Sequence, residues 1–374
     1  MMPNFLRNLA LLTTGLSLLS ACGTTAGSDG TRLAPQATIN FKIAESVGSR
    51  GAWIIGSRGA WIIGQQASTV AGLDNTFPEN MGAWQQIRLP QAHAKTPSMG
   101  SGVLVAVIDT GIDLDHPAFE GKLIGSGAWR DWVDGDRIPD DEGNYNDPSL
   151  VGYGHGTNVA SILTQVAPKV KILPLRVLSS NGTGTIADIV AAIDYAITQK
   201  VQIINMSVGT DVSTDVDLAV KRATAKGIYV VASSGNTGDR RVTAPARYAT
   251  LSDTSAALSL SVGSVNRHDI RSEFSTYGPK LELLAPGEGM MGAAPEGMTE
   301  AWSGTSMTAP IASGVIALAL GELPPGQRAK WINKVANQLA LTADPVDAVN
   351  APDLIGHLGK GRINAERFIN SVLP

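Results

Sequence analysis

The stretch VAVIDTGID, residues 105–113, predicts a buried strand that ends in a carboxylate. The apolar run from Val103 to Ile108 has no polar alternation, which is typical of a parallel strand covered on both faces. Asp109 closes the run, and the turn residues Thr110 and Gly111 follow at once. We therefore expect the carboxylate at the carboxyl end of a strand, where open α/β sheets place their sites.

Apolar runs of the same kind alternate with helical segments along the rest of the chain. The predicted strands are 103–109, 171–177, 201–207, 228–233 and 258–264, and the predicted helices are 155–165, 186–199, 214–226, 306–320 and 327–341. Thr214 is predicted to cap the third helix, with Asp217 in its first turn and Gly227 as its stop. The alternation predicts an α/β fold, doubly wound, with a mostly parallel sheet and helices on both faces.

Two further motifs each place a reactive residue at the start of a predicted helix. They are GHGTNVA (154–160), which contains His155, and GTSMTAPIASG (304–314), which contains Ser306. We expect Gly304 to allow a tight backbone turn into the second helix. Pro310 falls near the first turn of that helix, where a missing N–H costs little.

Taken together, the three motifs resemble those of subtilases, the subtilisin-like serine peptidases, from about Asn80 to the C-terminus. The resemblance implies that Ser306 is the nucleophile, His155 the general base and then the general acid, and Asp109 the residue that orients the imidazole. Each residue alone also has a structural interpretation, as a cap, a turn residue or a core histidine.

The resemblance extends to the substrate cleft. In VVASSGN (230–236), Asn236 matches an asparagine that donates its amide to the oxyanion, although a turn asparagine after glycine is an alternative. Residues lining the cleft are expected in NGTG and INMSVG, and they are Gly182, Thr183, Gly184, Ser207, Val208 and Gly209. Extended peptides pair with such edges through their main chains. Thr243 occupies a position that resembles the floor of the side-chain pocket.

The sequence does not predict a metal site. Asp113, Asp115 and His116 lie close together, but they lack the further ligands that a metal needs, and we interpret His116 as structural. Many subtilases insert a calcium-binding loop after the histidine helix, whereas SILTQVAPKVKIL passes directly into the next strand here. Ala118 stands where a calcium carboxylate is common. We therefore expect no cofactor requirement and no strong calcium site of that type.

The N-terminus predicts export. Residues 1–22 contain Arg7 and an apolar stretch too short to span a membrane, which is typical of a secretory signal. The sequence around Cys22, the single cysteine, resembles the lipobox of bacterial lipoproteins. We expect a lipid on Cys22 to anchor the protein to a membrane. The alternative is ordinary signal cleavage nearby, which would discard the cysteine.

Residues 23–75 precede the predicted peptidase domain, residues 76–374. Residues 23–36 are rich in small polar residues and predict a tether, and ATINFKIAE (37–45) alternates as a half-buried strand does. The octapeptide SRGAWIIG then occurs twice, at 49–56 and 57–64. The two copies predict either a hairpin or a duplication tolerated in a loosely constrained region. A short pro-segment is a further interpretation of this region.

Composition limits the remaining functions. The net charge of -4 and the absence of a basic cluster argue against nucleic acid as a partner. We predict a monomeric, exported serine endopeptidase that acts on protein or peptide substrates. The main alternative is a catalytically silent subtilase fold that serves as a surface binding module. A Ser-His-Asp esterase is disfavoured because the chain lacks a G-x-S-x-G elbow.

Overall fold

The computed structural model describes residues 41–43, 52–53, 61–66, 77–147, 149–210, 213–249 and 258–373, all of which belong to one compact unit, Thr38–Pro374. The predicted signal segment, Cys22 and the predicted tether lie outside the described residues. The predictions made for them are therefore not tested by the fold.

The described residues form thirteen strands and eight α-helices. The strands are β1 (Phe41–Ile43), β2 (Ala52–Trp53), β3 (Trp61–Gln66), β4 (Leu104–Asp109), β5 (Arg130–Asp131), β6 (Lys171–Arg176), β7 (Thr183–Gly184), β8 (Ile203–Met206), β9 (Tyr229–Ser233), β10 (Ser259–Val265), β11 (Leu283–Pro286), β12 (Met290–Ala294) and β13 (Met298–Ser303). The helices are α1 (Met81–Gln86), α2 (Leu89–His93), α3 (His155–Val166), α4 (Ile186–Thr198), α5 (Thr214–Ala225), α6 (Thr308–Glu322), α7 (Arg328–Leu341) and α8 (Ala365–Val372).

A seven-stranded sheet carries the fold, with its strands in the order β11-β10-β9-β8-β4-β6-β5. Every neighbouring pair in this sheet runs parallel. Val105 and Val107 of β4 pack into one hydrophobic core with α3 and α6, whereas Ala106 and Ile108 pack into a second core with α4 and α5. Helices therefore cover both faces of the sheet, and the predicted doubly wound α/β fold is confirmed.

The five strands and five helices predicted between residues 103 and 341 are found with their ends displaced by at most two residues, and Phe41–Ile43 is the described part of the strand predicted at 37–45. One cap prediction is wrong: Ser213, not Thr214, is the N-cap of α5, because its hydroxyl accepts a hydrogen bond from the N–H of Val216 at 3.3 Å. Both residue types cap helices, and the extended backbone of Ser213 decides between them. Gly227 ends this helix as predicted, with a φ of 78°.

Among the described residues of the repeated octapeptide, 52–53 and 61–64, the two copies do not pair with each other. Strand β2 of the first copy pairs antiparallel with β7, and β3, which begins in the second copy, pairs antiparallel with β13. Strand β1 adds to the outer edge of β3 and completes a four-stranded sheet in the order β1-β3-β13-β12. The described strand of each copy thus pairs with a strand that comes later in the chain, β7 for the first copy and β13 for the second.

No single helix in the described part of the chain is long and apolar enough to cross a membrane, although the bent pair Thr305–Glu322 and Pro325–Val335 meets that length and composition when taken together.

Candidate active site

Asp109 and His155 form a buried pair at the carboxyl end of the central strand. The Nδ1 of His155 lies 2.6 Å from Oδ1 of Asp109, and both residues are 1% exposed. A carboxylate can only accept, so Nδ1 carries the hydrogen and Nε2 keeps its lone pair. Oδ1 also accepts from the N–H of Thr110 at 2.8 Å, which fixes the carboxylate. The contact with Asp109 therefore selects the tautomer in which Nε2 can accept a proton.

A glycine allows this pair to form. Gly156, the second residue of α3, lies so close to the end of β4 that an added Cβ would be 2.1 Å from the carbonyl oxygen of Gly111 and 3.1 Å from Cβ of Asp109. Its N–H donates to Oγ1 of Thr110 at 2.9 Å. The helix start and the strand end are therefore in direct backbone contact. This contact explains why a glycine follows the histidine.

A second carboxylate, Asp141, lies behind the start of α3. Its Oδ2 accepts from the hydroxyl of Thr157 at 2.6 Å and its Oδ1 from the N–H of Gly154 at 3.2 Å. Burial raises the pKa of Asp141 to about 7, against the lowering effect of the hydrogen bonds from Thr157 and Gly154. Asp141 thus ties the loop before His155 to the first turn of its helix.

Ser306 lies in a 3-10 turn, Thr305–Met307, that leads into α6. Its hydroxyl donates to the carbonyl oxygen of Ser207 at 3.1 Å, and the hydroxyl of Ser207 donates back to the carbonyl oxygen of Ser306 at 2.6 Å. Helix α3 is in contact with this turn, which brings the His155 helix and Ser306 together. Ser306 does not cap α6, because Met307 occupies the N-cap position.

Gly304 has a different role from the one predicted. Its φ of 163° is extended backbone, which does not require glycine. An added Cβ at this position would lie 3.3 Å from Nδ2 of Asn236 and 3.7 Å from the backbone N of Ser306. Glycine therefore keeps the space in front of these two nitrogens free of side-chain atoms. Pro310 lies at the third residue of α6, as expected for a proline in a first turn.

Asn236 follows the end of β9 and is 2% exposed. Its Oδ1 accepts from both the N–H and the hydroxyl of Thr305, each at 2.8 Å. Nδ2 of Asn236 and the backbone N–H of Ser306 both lie close to the position that a Cβ of Gly304 would occupy. Two N–H donors that approach one point are what an oxyanion would need.

The residues predicted to line the cleft lie in two segments, of which Ser207 contacts Ser306 directly. Ser207, Val208 and Gly209 follow β8, whereas Thr183 and Gly184 form β7 after a turn at Gly182, where φ is 84°. The backbone of β7 already pairs antiparallel with β2. The predicted wall is therefore a strand edge that accepts main-chain pairing.

Thr243 fills the space between the ends of β8 and β9. An added Cβ at Gly209 would lie 2.8 Å from Oγ1 of Thr243, and one at Gly235 would lie 3.0 Å from its Cγ2. The Thr243 hydroxyl donates to the carbonyl oxygen of Ser234 at 3.3 Å. Thr243 therefore occupies the space next to both Gly209 and Gly235.

His116 uses both ring nitrogens within the fold. Nδ1 accepts from the N–H of Ala118 at 3.1 Å, so Nε2 carries the hydrogen and donates to the carbonyl oxygen of Met298 at 3.1 Å. The described residues contain no group of three or more His, Cys, Asp or Glu that could hold a metal ion. Only four residues separate α3 from β6, which is too few for the calcium-binding loop discussed above. The buried side chain of Ala118 is a methyl group, which cannot coordinate calcium.

Sequence reasoning missed Asp141 and Trp302. The Trp302 ring meets the His155 ring edge-on, with centroids 5.1 Å apart and an angle of 81° between the planes. Trp302 could have been suspected as the aromatic residue four positions before Ser306. The sequence gives no comparable indication for Asp141, because it is one of many acidic residues in its loop.

Comparisons with known proteins agree with this geometry. Residues 100–359 match the model of the subtilase family. The chain is 33% identical over 296 residues to thermitase of Thermoactinomyces vulgaris, which covers 76% of this chain and 94% of thermitase. It is 32% identical over 292 residues to subtilisin Savinase of Lederbergia lenta, which covers 75% of this chain and 95% of that protein. A crystal structure of a cold adapted subtilisin-like serine proteinase superposes with a TM-score of 0.55 at 32% identity, over 65% of this chain and 83% of that chain.

Proposed function

The chain belongs to the subtilase family and is a serine-type endopeptidase, and on this basis we propose that it hydrolyses peptide bonds through Asp109, His155 and Ser306 with an acyl-enzyme intermediate. The observation that carries the proposal is the buried 2.6 Å contact between Asp109 and His155, on a helix that touches the turn of Ser306. This contact selects the tautomer that a general base needs.

In the first step, Oγ of Ser306 attacks the scissile carbonyl carbon and its proton passes to Nε2 of His155. The imidazolium that forms is stabilised by Asp109, which keeps its negative charge. The carbonyl oxygen becomes an oxyanion, and Nδ2 of Asn236 and the N–H of Ser306 donate to it. The tetrahedral intermediate then collapses.

Collapse breaks the C–N bond, and His155 gives its proton to the leaving amine. The acyl group remains on Oγ of Ser306 as an ester. A water molecule then attacks the ester while His155 takes a proton from it. His155 returns this proton to Oγ of Ser306 as the C–O bond of the ester breaks, which releases the carboxylic acid product and the free serine. Protein or peptide substrates would bind extended, with their main chain along Ser207–Gly209 and, in place of β2, along Thr183–Gly184.

Labelling with a fluorophosphonate probe tests the proposed nucleophile. Wild-type protein should be labelled and should hydrolyse unfolded casein, whereas Ser306→Ala should show neither property. His155→Ala should lose casein hydrolysis as well. Ser371→Ala, in α8, serves as the matched control and should keep both activities. Near wild-type hydrolysis by Ser306→Ala or His155→Ala would exclude the mechanism, and an unlabelled, inactive wild type would favour the silent binding module.

We also propose that the protein is exported and anchored by a lipid on Cys22, a proposal supported by the sequence of residues 1–22. Wild-type protein should partition with membranes and carry a lipid, whereas Cys22→Ser should do neither. Mass spectrometry of the membrane and soluble fractions measures both properties. Recovery of unmodified wild-type protein wholly in the soluble fraction would contradict the anchor.

A further inference from the structure

Lysine is distributed unevenly between the two edges of the seven-stranded sheet. The proposed catalytic centre lies at the carboxyl edge, since Asp109 ends β4. Lys171 begins β6, Lys200 and Lys226 shortly precede β8 and β9, and Lys280 shortly precedes β11. Because all strands of this sheet run parallel, these four lysines share the opposite edge, here called the amino edge.

Two further lysines reach the amino edge through backbone contacts. The carbonyl oxygen of Lys122 accepts from the N–H of Ile172, the second residue of β6, at 2.9 Å. The N–H of Lys360 donates to the carbonyl oxygen of Glu282, directly before β11, at 2.7 Å. Burial and the positive charge of Lys171 both lower the pKa of Lys122, so these two ammonium groups lie near each other.

Helix α7 passes along the same edge. Nη1 of Arg328, the first residue of α7, donates at 2.8 Å to the carbonyl oxygen of Gly102, which lies two residues before β4. A Cβ added at Gly227, two residues before β9, would lie 2.8 Å from Cδ1 of Ile332. The N-terminal half of α7 therefore contacts the chain at the amino ends of both β4 and β9.

The charged residues of α7 are all basic, and they are Arg328, Lys330 and Lys334. Lys330 and Lys334 lie one turn apart and are exposed. Nζ of Lys334 lies 4.2 Å from the centroid of the Trp331 ring, and Leu341 at the end of the helix is 68% exposed. Lysine and tryptophan together with exposed leucine are typical of helices that lie at the interface between water and lipid.

The two edges of the sheet carry opposite charge. Loop 131–154, at the carboxyl edge, contains seven Asp and Glu but one Arg and no lysine. The segments at the amino edge contain eleven Lys and Arg but three Asp and Glu, in a chain whose net charge is -4, and these segments are 95–103, 120–123, 167–171, 198–202, 224–228, 279–282, 321–334 and 358–361. The sequence has no run of basic residues, so it is the fold that brings them together.

The lysines at the amino edge have no carboxylate partners. The ion pairs among the described residues involve arginine or histidine, and none involves a lysine. Of the three acidic residues in these segments, Glu282 is buried, and burial raises its pKa to about 8. It is therefore mostly uncharged at pH 7. The amino edge thus carries positive charge that the fold leaves unneutralised.

The shape of this charged surface favours a broad anionic partner. Five strand spacings separate β11 from β6, which is about 24 Å. The lysines are spread along this width instead of lining one groove. Each lysine close to an anionic lipid surface adds to the attraction. Trp331 and Leu341 could enter a lipid interface, whereas they would gain nothing from contact with the phosphates of a nucleic acid.

We propose that the amino edge, together with α7, binds the anionic headgroups of a phospholipid membrane. In this orientation the proposed catalytic centre, at the carboxyl edge, faces away from the membrane and toward soluble substrates. This inference goes beyond the proposed peptidase activity and does not require a lipid on Cys22.

Sedimentation with lipid vesicles tests the proposal. The full chain carries Cys22→Ser, so that no acyl anchor contributes, and Ser306→Ala, which prevents self-digestion. The vesicles contain phosphatidylcholine alone or with about one third phosphatidylglycerol. The partition coefficient should be about tenfold or more higher for the anionic vesicles, because several lysines act together. This preference should fall when salt is raised, since the charges lie at the surface.

A fourfold variant of this chain locates the binding surface, and it combines Lys200→Gln, Lys226→Gln, Lys330→Gln and Lys334→Gln. All four side chains are exposed, so the fold should tolerate the changes. The partition coefficient on anionic vesicles should fall by about tenfold or more. Binding to neutral vesicles should not change.

The matched control removes four exposed positive charges from loops at the carboxyl edge, and it combines Arg137→Gln, Arg240→Gln, Arg241→Gln and Arg267→Gln. Both variants have the same net charge, but the control should bind anionic vesicles as the parent chain does. Equal partition of the parent chain on both kinds of vesicle, or an equal loss in both variants, overturns the proposal. Retention of the parent chain on immobilised DNA without binding to anionic vesicles would assign the surface to a nucleic acid and likewise overturns it.

Discussion

Asn236 accepts two hydrogen bonds from Thr305 through a single oxygen, Oδ1, with both donors at 2.8 Å. Because Oδ1 is engaged by the turn that carries Ser306, Nδ2 faces the open space in front of Gly304. The turn therefore holds the amide in place before a substrate binds. A donor that needs no reorganisation stabilises the charge that develops in the transition state.

Asn236→Ala should lower kcat by about 10²–10³, a magnitude established for loss of the corresponding donor in subtilisin itself. KM should change little, because the ground-state carbonyl gains less from the donor than the oxyanion does. Measuring kcat and Tm together separates catalysis from structure. A variant that melts earlier yet turns over at the wild-type rate would make Asn236 a turn residue only.

Thr243 should restrict the side chain that precedes the cleaved bond. We expect cleavage after small to medium apolar residues in preference to Phe, Lys or Arg, because Thr243 fills the space between Gly209 and Gly235. Thr243→Gly should raise kcat/KM for a phenylalanine peptide relative to an alanine peptide by about tenfold, within the range for one pocket contact. A wild-type profile dominated by basic residues at this position, or an unchanged ratio in the variant, would contradict the assignment.

Gly156→Ala should impair both stability and catalysis. The new Cβ would meet the carbonyl oxygen of Gly111 at 2.1 Å, so the start of α3 must move and carry His155 with it. Overpacking of this kind costs about 1–3 kcal/mol in unfolding free energy. The control is Gly82→Ala in α1, where an added Cβ meets no atom within 4 Å and should stabilise by up to about 1 kcal/mol. Equal Tm values for the two variants would refute the contact.

Glu282 should make stability depend on pH. Burial raises its pKa from an ordinary value near 4.5 to about 8, so between these values the folded state holds a proton that the unfolded state has released. The free energy of unfolding should therefore fall as pH rises from 4.5 to 8, by at most about 1.4 kcal/mol per pH unit, and then level off. Glu282→Gln should reduce this decline. Unfolding is best measured in the Ser306→Ala background, which prevents self-digestion, and identical slopes with and without Glu282 would contradict the prediction.

Calcium removal should leave stability unchanged. A ligand that binds only the native state raises its stability by mass action, so a chain without the strong site should not respond to a chelator. Only four residues connect α3 to β6, which leaves no room for the calcium-binding loop that many subtilases insert there. Tm of the Ser306→Ala variant should be the same with and without EDTA. A large drop that calcium alone restores would show that this chain binds calcium elsewhere.

The positions of the three proposed catalytic residues in the fold could be predicted from the sequence because each adjoins a regular element with a strong pattern. Asp109 ends an apolar strand, and His155 and Ser306 precede or begin apolar helices, so parallel-sheet geometry brings them to one edge. Asp141 could not be predicted in this way. Its partner Thr157 is 16 residues away, and the contact arises only when α3 docks on β4.

Other errors came from features in which the sequence supports two outcomes equally. Ser213 and Thr214 are both capping residues, and only backbone angles distinguish them. The two copies of the octapeptide left a hairpin and a tolerated duplication open, and the described strand of each copy pairs with a different strand, β7 or β13. Gly304 was expected to allow a tight backbone turn. In the structure its backbone is extended, and the lack of a side chain keeps the space beside Asn236 and Ser306 free. Such outcomes depend on tertiary neighbours.

The backbone contact between Gly156 and Gly111 also limits how closely the start of α3 can approach the end of β4. Repulsion between atoms rises steeply as such a contact shortens. The attraction between packed side chains changes far more gradually with distance. The distance between the carboxylate and the imidazole is therefore set by main-chain atoms that no side-chain exchange removes. Changes in core residues of the same helix, such as Val159 and Ile162, should lower the melting temperature well before they disturb the alignment of the reacting groups. Evolution can consequently vary the interior of this enzyme while its chemistry stays constant.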